Sequence, residues 1–329
     1  MAQKRHDKRR DLLLLLVVAA IALTAYFLTR DQLAGLFRGG LDEPTDEEEN
    51  MIYSVENQIS SAHALERSGI VLQNAGDRIR AVELASGIQL DVTDLGDRSQ
   101  APIQDFAEYV GYVYMFDGET VYRSQLDGSE LRATIEDCLQ FEPMGDYLYS
   151  LKLVDGAPYL HRCSIIGTYE KLLFSEPFLD FRAYDGDLLL QRADGSWWWY
   201  DVLTQESSDV ALPEGARSLE LDEEGILYLT DEGLYRKAYD TREESLLYAG
   251  SVAAYVVGPH HLGLLLSGPE GCQAAVCGPD GEDLVILEGE TFSPESALDL
   301  SAEHLFVTDG EGTTHYTPLG AAQWGPLFK

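Results

Sequence analysis

Basic residues are scarce in this 329-residue chain: 23 Lys and Arg stand against 57 Asp and Glu, a formal net charge of −34. Six of the 23 (Lys4, Arg5, Lys8, Arg9, Arg10, Arg30) fall in residues 1–30 beside two acids, Asp7 and Asp11. The remainder therefore carries 17 basic against 55 acidic residues, a net of −38. A surface of that sign repels phosphate backbones and anionic headgroups, so no nucleic acid partner is expected. Its plainest use is solubility, and the partners it attracts are cations or basic polymers. Cysteine is sparse too. Cys138, Cys163, Cys272 and Cys277 contain no C-x-x-C pair, so neither a zinc nor a thioredoxin-like site has support. Cys272 and Cys277 lie five apart on a predicted strand, which puts them on opposite faces and argues against their pairing. Buried free thiols are the expectation. The chain also lacks a G-x-S-x-G elbow, an H-E-x-x-H pair, a sialidase-type Asp-box, an EF-hand loop and a glycine–aspartate calcium repeat. It is expected not to be an enzyme, and no cofactor is called for. Among so many acids a pair of carboxylates for glycoside chemistry can always be found, so their presence is not evidence.

What is present begins with a basic tail, residues 1–11, ahead of the apolar run Leu12 to Leu28. At about 1.5 Å per residue that run reaches the minimum for spanning a bilayer. A signal anchor over 12–30 is predicted, with the basic flank cytoplasmic and the rest of the chain outside. A cleavable signal is the rival, since Ala20-Ile21-Ala22 offers a small-residue cleavage site, but the apolar run continues past it. Residues 31–50 read as a juxtamembrane segment stopped at Gly39-Gly40 and an acidic, self-repelling linker.

The rest of the chain is organised around Tyr112 to Ile135, YVYMFDGETVYRSQLDGSELRATI. Three runs of aromatic and β-branched residues are separated by Asp117-Gly118 and Asp127-Gly128, and an Asp-Gly step between such runs is a strong hairpin signal. The third segment of this meander recurs at Ile79, Val121, Tyr159, Trp197, Leu234, Gln273 and Thr314, roughly every 40 residues. Each is preceded by a continuous apolar run, as Tyr147–Leu153 or Leu262–Leu266. A strand with one wet face alternates, so these continuous runs are predicted to be covered on both faces. Four strands per repeat with no helical insert predict an all-β fold, a seven-bladed β-propeller over residues 51–329, with six blades as the alternative. Residues 51–55 are expected to close the ring as the outer strand of the last blade, beside Thr314–Thr317. The rival is that Ala321–Trp324 closes it.

Tyr114-Met115-Phe116-Asp117 followed by VYRSQLDGS resembles the YWTD repeat of low-density-lipoprotein-receptor-type propellers. Tyr228-Leu229-Thr230-Asp231 with Leu234-Tyr235-Arg236 repeats the resemblance, and Phe306-Val307-Thr308-Asp309 keeps its first half. The whole chain is similar to membrane-anchored bacterial propellers without assigned activity. That resemblance implies the fold and a bias toward binding proteins, though propellers also host enzymes.

Three groups are candidate sites. Trp197-Trp198-Trp199-Tyr200 is the densest aromatic patch, suited to stacking on a sugar or to a protein interface. Packing of both strand faces against adjacent blades is the simpler account of it. His260, His261 and His304 fall in turns after the innermost strands of the last two blades, on one face, and are metal candidates. Asp117, Asp155, Asp194, Asp231 and Asp309 occupy one repeat position and could ring a Ca²⁺ ion, although turn chemistry alone accounts for them. The sequence thus predicts a membrane-anchored, extracytoplasmic, non-catalytic module that binds a protein or glycan. The alternatives are a hydrolase or lyase with loop-borne carboxylates and a structural subunit of an envelope complex.

Overall fold

The computed structural model describes residues 60–327 except 62, 68, 100, 240 and 322. The basic tail, the predicted anchor, the linker and residues 51–55 lie outside the described residues. Among the described residues no helix is long and apolar enough to cross a membrane.

The chain forms seven antiparallel sheets; six hold four strands consecutive in sequence, and the second holds four such strands with Ser60–Ser61 added at its inner edge. Their first strands are Ala64–Arg67, Asp105–Tyr109, Cys138–Met144, Phe178–Tyr184, Arg217–Leu221, Val252–Val257 and Ala297–Leu300. The first strands of the third and fourth, fourth and fifth, and sixth and seventh sheets pack on one another, and the last packs on the first, so these strands line the axis of a closed ring. This is a seven-bladed β-propeller, and blades 1 to 7 follow chain order. Third strands start at residues 78, 121, 157, 197, 233, 271 and 314, within two residues of the predicted positions.

The continuous apolar runs follow from this geometry. In blade 4, Leu188 and Leu190 pack toward blade 3 with Met144 and Tyr149, whereas Leu189 packs toward blade 5 with Leu219 and Tyr228. Alternate side chains enter opposite interfaces, so none faces water, and all three leucines are fully buried. Each contributes about 1.5–3 kcal/mol of burial.

The repeat resembling YWTD also has a packing reason. Gly128 sits at φ +76°, and a Cβ there would stand 2.0 Å from the Val92 carbonyl oxygen of blade 1. Gly167 and Gly281 press likewise on carbonyls of the preceding blades, Thr134 at 2.9 Å and Leu247 at 2.3 Å. The glycine of the third-to-fourth-strand turn thus lets one blade dock on the backbone of the last. Arg123, in the same motif, is buried with its guanidinium 4.2 Å from the Tyr112 ring centroid, and Arg162 repeats this over Tyr147 at 4.3 Å.

Ring closure differs from expectation. The outer place beside Thr314–Pro318 is held by Gly325–Pro326, with Tyr316 opposite Gly325 and His315 opposite Pro326. It is therefore not free for residues 51–55, nor is it filled by Ala321–Trp324. A two-residue edge strand tolerates Pro326, because an edge has no second neighbour to donate to. The N-terminal Ser60–Ser61 instead pairs with the inner edge of blade 2, Ser60 opposite Ala107 and Ser61 opposite Phe106. Blade 7 meets blade 1 through side chains. Asp299 accepts from the Ala64 N–H at 3.2 Å, Gln73 donates to Thr314 Oγ1 at 2.8 Å, and Ser301 donates to Glu66 at 2.6 Å. Phe306 packs there with Ala64, Val71, Val82 and Leu327.

Candidate functional site

Trp197–Asp201 is the third strand of blade 4. Trp198 and Tyr200 join Phe174 and Phe178 against blade 3, with Trp198 stacked on Phe178 at 6.1 Å and 3°. Trp197 and Trp199 join the blade 4–5 core. Arg192 and Arg242 cover the rings of Trp198 and Trp199 at 4.9 and 5.9 Å. The four aromatics are half-buried and divided between two interfaces, so they do not form one open patch.

His261 and His304 occupy equivalent turns: Gly258 N–H donates to the His261 carbonyl and Ser301 N–H to that of His304, both at 2.9 Å. The structure does not gather His260, His261 and His304 into one cluster. His304 Nδ1 lies 2.9 Å from Glu66 Oε2 across the blade 7–1 seam, and Glu303 completes that group. The turn aspartates share a face but not one position. Asp117 accepts the Glu119 and Thr120 N–H groups of its own turn, whereas Asp231 sits one residue further along its hairpin, exposed, with Arg217 at 3.2 Å. The register shows why: Tyr114 opposes Arg123 in blade 2, but Tyr228 opposes Tyr235 in blade 5.

Two features escaped sequence reasoning. The first is the lining of the axial channel. Side chains of inner strands stitch blade 3 to blade 4 and blade 4 to blade 5: Glu142 accepts from the Ala183 N–H at 2.6 Å, and Gln140 donates to the Phe181 carbonyl at 2.6 Å. Arg182 donates to the Leu219 carbonyl at 2.9 Å and holds Asp180 at 2.7 Å, with Glu220 at 3.4 Å. Burial pushes the Asp105 carboxyl to about 7, against the N–H of Phe106. Burial likewise pushes Glu142 to about 8, against the pull of Arg182. Burial also raises Glu220, but 47% of its side chain is exposed, so solvent screens the effect.

The second is a recess of about 410 Å³ between blades 4 and 5, on the face that carries the second-to-third-strand hairpins. Its floor is the cross-strand pair Tyr228 and Tyr235, rings stacked at 5.7 Å and 10°. One wall is the turn Pro213-Glu214-Gly215, in which the Ala216 N–H donates to the Pro213 carbonyl at 3.2 Å and Gly215 takes φ +85°. That conformation, at the third residue of a four-residue turn, requires glycine and leaves Glu214 exposed at the rim. The hairpin Thr230-Asp231-Glu232 forms the opposite wall, and Glu244 of the outer strand closes the side. Trp197 and Trp199 pack in the core that backs this floor without lining the recess. The only sequence signal for it was the second YWTD-like motif, Tyr228 to Asp231.

No protein-family model and no curated protein matches the chain. Solved structures match over most of it at low identity. One is a prolyl endopeptidase (TM-score 0.61, 11% identity, 82% of this chain, 49% of that one). Another is a puromycin-hydrolysing peptidase of Mycobacterium tuberculosis (TM-score 0.56, 12% identity, 88% of this chain, 56% of that one). A third is the computationally designed Ika8 protein (TM-score 0.53, 15% identity, 82% of this chain, 86% of that one). The chain thus spans only about half the length of the two peptidases. At these identities the likeness shows the fold alone.

Proposed function

We propose that the chain is a membrane-anchored, extracytoplasmic binding module, non-catalytic, whose propeller engages a protein partner. The observation that carries this reading is the recess between blades 4 and 5. It is a concave site whose floor is a pair of strand tyrosines and whose walls are two turns bearing exposed carboxylates, on the face that carries the hairpins. Such sites suit recognition because the strands fix the aromatic floor before the partner arrives. The hydropathy of Leu12–Leu28 and its basic flank support the anchor and its orientation. The test is a binding assay on the full chain in detergent, with basic peptides and neutral oligosaccharides as probes. Saturable binding that is lost on altering Tyr235 supports the reading, and binding that ignores the recess removes it.

A hydrolase or lyase is the second reading, favoured by the raised carboxyls of Asp105 and Glu142 in the axial channel, since perturbed acids gather at catalytic sites. Glu142 is already held by the Ala183 N–H, so its position suits stitching of blades as well as proton transfer. Turnover of glycoside or ester substrates, abolished in Glu142→Gln with the fold intact, would establish that reading instead.

A further inference from the structure

We infer that Glu66, Glu303 and His304 hold a divalent metal ion of the Zn²⁺ type, which ties blade 7 to blade 1. Each of the three brings one ligand atom, and these atoms lie within 4.8 Å of one another. Glu66 stands on the first strand of blade 1, and Glu303 and His304 come from the turn into the second strand of blade 7. His304 Nδ1 is 2.9 Å from Glu66 Oε2. Two ligands of one tetrahedral ion, at bonds of about 2.0–2.1 Å, stand about 3.3 Å apart, so a small shift admits the ion between them. One imidazole with two carboxylates suits Zn²⁺ and related ions, whereas Ca²⁺ and Mg²⁺ take oxygen ligands. A ligating imidazole is neutral, so the set carries two negative charges, which a divalent ion balances.

The state of Glu66 points independently to a cation. Only 4% of its side chain is exposed. Its Oε2 accepts from the Ser301 hydroxyl at 2.6 Å and faces His304, while its Oε1 has no partner among the described residues. Neither Glu66 nor Glu303 pairs with a lysine or arginine among the described residues, although buried carboxylates are as a rule paired or bound to metal. The chain supplies the contrast: His161 also meets a glutamate, Glu170 at 3.0 Å, but there Lys152 stands on the same carboxylate at 2.7 Å. The ligands are held from behind as well. Ser301 Oγ accepts the His304 N–H at 2.9 Å and the Glu303 N–H at 3.2 Å, and the His304 ring packs on Tyr316 at 5.8 Å. Such support keeps metal ligands in place. The seam gains from a tie because no strand is exchanged across it among the described residues.

The test is calorimetric titration of the full chain in detergent, stripped with EDTA and dialysed, with Zn²⁺ and separately with Ca²⁺. One Zn²⁺ site is expected, about a hundredfold or more tighter than any Ca²⁺ site. At a hundredfold excess over Kd, Zn²⁺ should raise the unfolding midpoint by roughly 5–10 °C. Loss of one ligand is expected to weaken Zn²⁺ at least about tenfold, as loss of a supporting partner already does. Glu303→Gln and His304→Ala should both show this. Glu303 is exposed, so Glu303→Gln should leave the metal-free midpoint unchanged and decides the matter even where His304→Ala loosens the seam. The control His161→Ala, in the pair that has its own lysine, should bind Zn²⁺ like the parent chain. Zn²⁺ affinity unchanged in Glu303→Gln would mark diffuse attraction to surface acids and overturns the inference. Ca²⁺ binding as tight as Zn²⁺, or a midpoint that Zn²⁺ does not raise, overturns it too.

Discussion

Replacing Phe306 by Ala probes the way the ring closes. Phe306 is 1% exposed and stands on blade 7, packed across the seam on Val71 and Val82 of blade 1. It also stacks on Tyr316 at 6.2 Å. No strand is exchanged across this seam among the described residues, so side chains carry the closure. Truncating a buried Phe in such a core costs about 3–5 kcal/mol. At about 2–4 °C per kcal/mol for a chain near this size, the melting midpoint is expected to fall by roughly 6–20 °C. A core Phe elsewhere, such as Phe181 between blades 3 and 4, has a similar total cost, so the location of the effect is what discriminates. Native-state hydrogen exchange on Phe306→Ala should lose protection first in Ala64–Arg67 and Ala297–Leu300, the strands that flank the seam. A fall below 3 °C, or protection lost evenly around all blades, would refute closure by side-chain packing.

Gly128→Ala should destabilise more than Gly195→Ala as read by urea unfolding. Both residues have positive φ, but only Gly128 would drive a Cβ to 2.0 Å from a backbone oxygen. About 1–2 kcal/mol of left-handed strain is expected at each, with the docking of blades 1 and 2 disturbed only at Gly128. Stability should fall as pH rises: folded-state carboxyls raised to about 7 at Asp105 and about 8 at Glu142 bind protons that the unfolded chain releases near pH 4. Their contribution is whole below about pH 4 and is lost as pH climbs through 7–8, and Glu142→Gln should flatten that slope in melts between pH 5 and 8.5. All four cysteines are free and buried, with the thiols of Cys138 and Cys163 pushed up to about 12 by burial. Thiol reagent should therefore react slowly with the folded chain and reach four groups after denaturation without reductant, and two or fewer would reveal a disulfide.

The blades were legible because the device that makes them is local. Asp-Gly turns and apolar runs recur with the strand period, and the predicted third-strand starts Val121, Trp197 and Thr314 coincide with the observed ones. Closure was not legible, since it depends on which short segment finds a free edge, and Gly325–Pro326 has no strand propensity to announce it. Aligning Tyr114 with Tyr228 by sequence hid a one-residue shift, because hairpins with similar letters place their Asp differently. That shift gives Tyr228 a cross-strand partner in Tyr235, and so makes the floor of the recess. The tryptophan run was conspicuous in sequence because it is large, yet it serves two interfaces at once. The wall at Glu214 lies in the connection between blades, where turn chemistry fixes the shape and sequence distance conceals the neighbours.

The most direct measurement is titration of the full chain in detergent with basic peptides and neutral oligosaccharides, compared with Tyr235→Leu. Saturable binding that Tyr235→Leu weakens at least tenfold is expected. Saturable binding that this variant leaves unchanged, or turnover of the probe, would contradict a non-catalytic binding module.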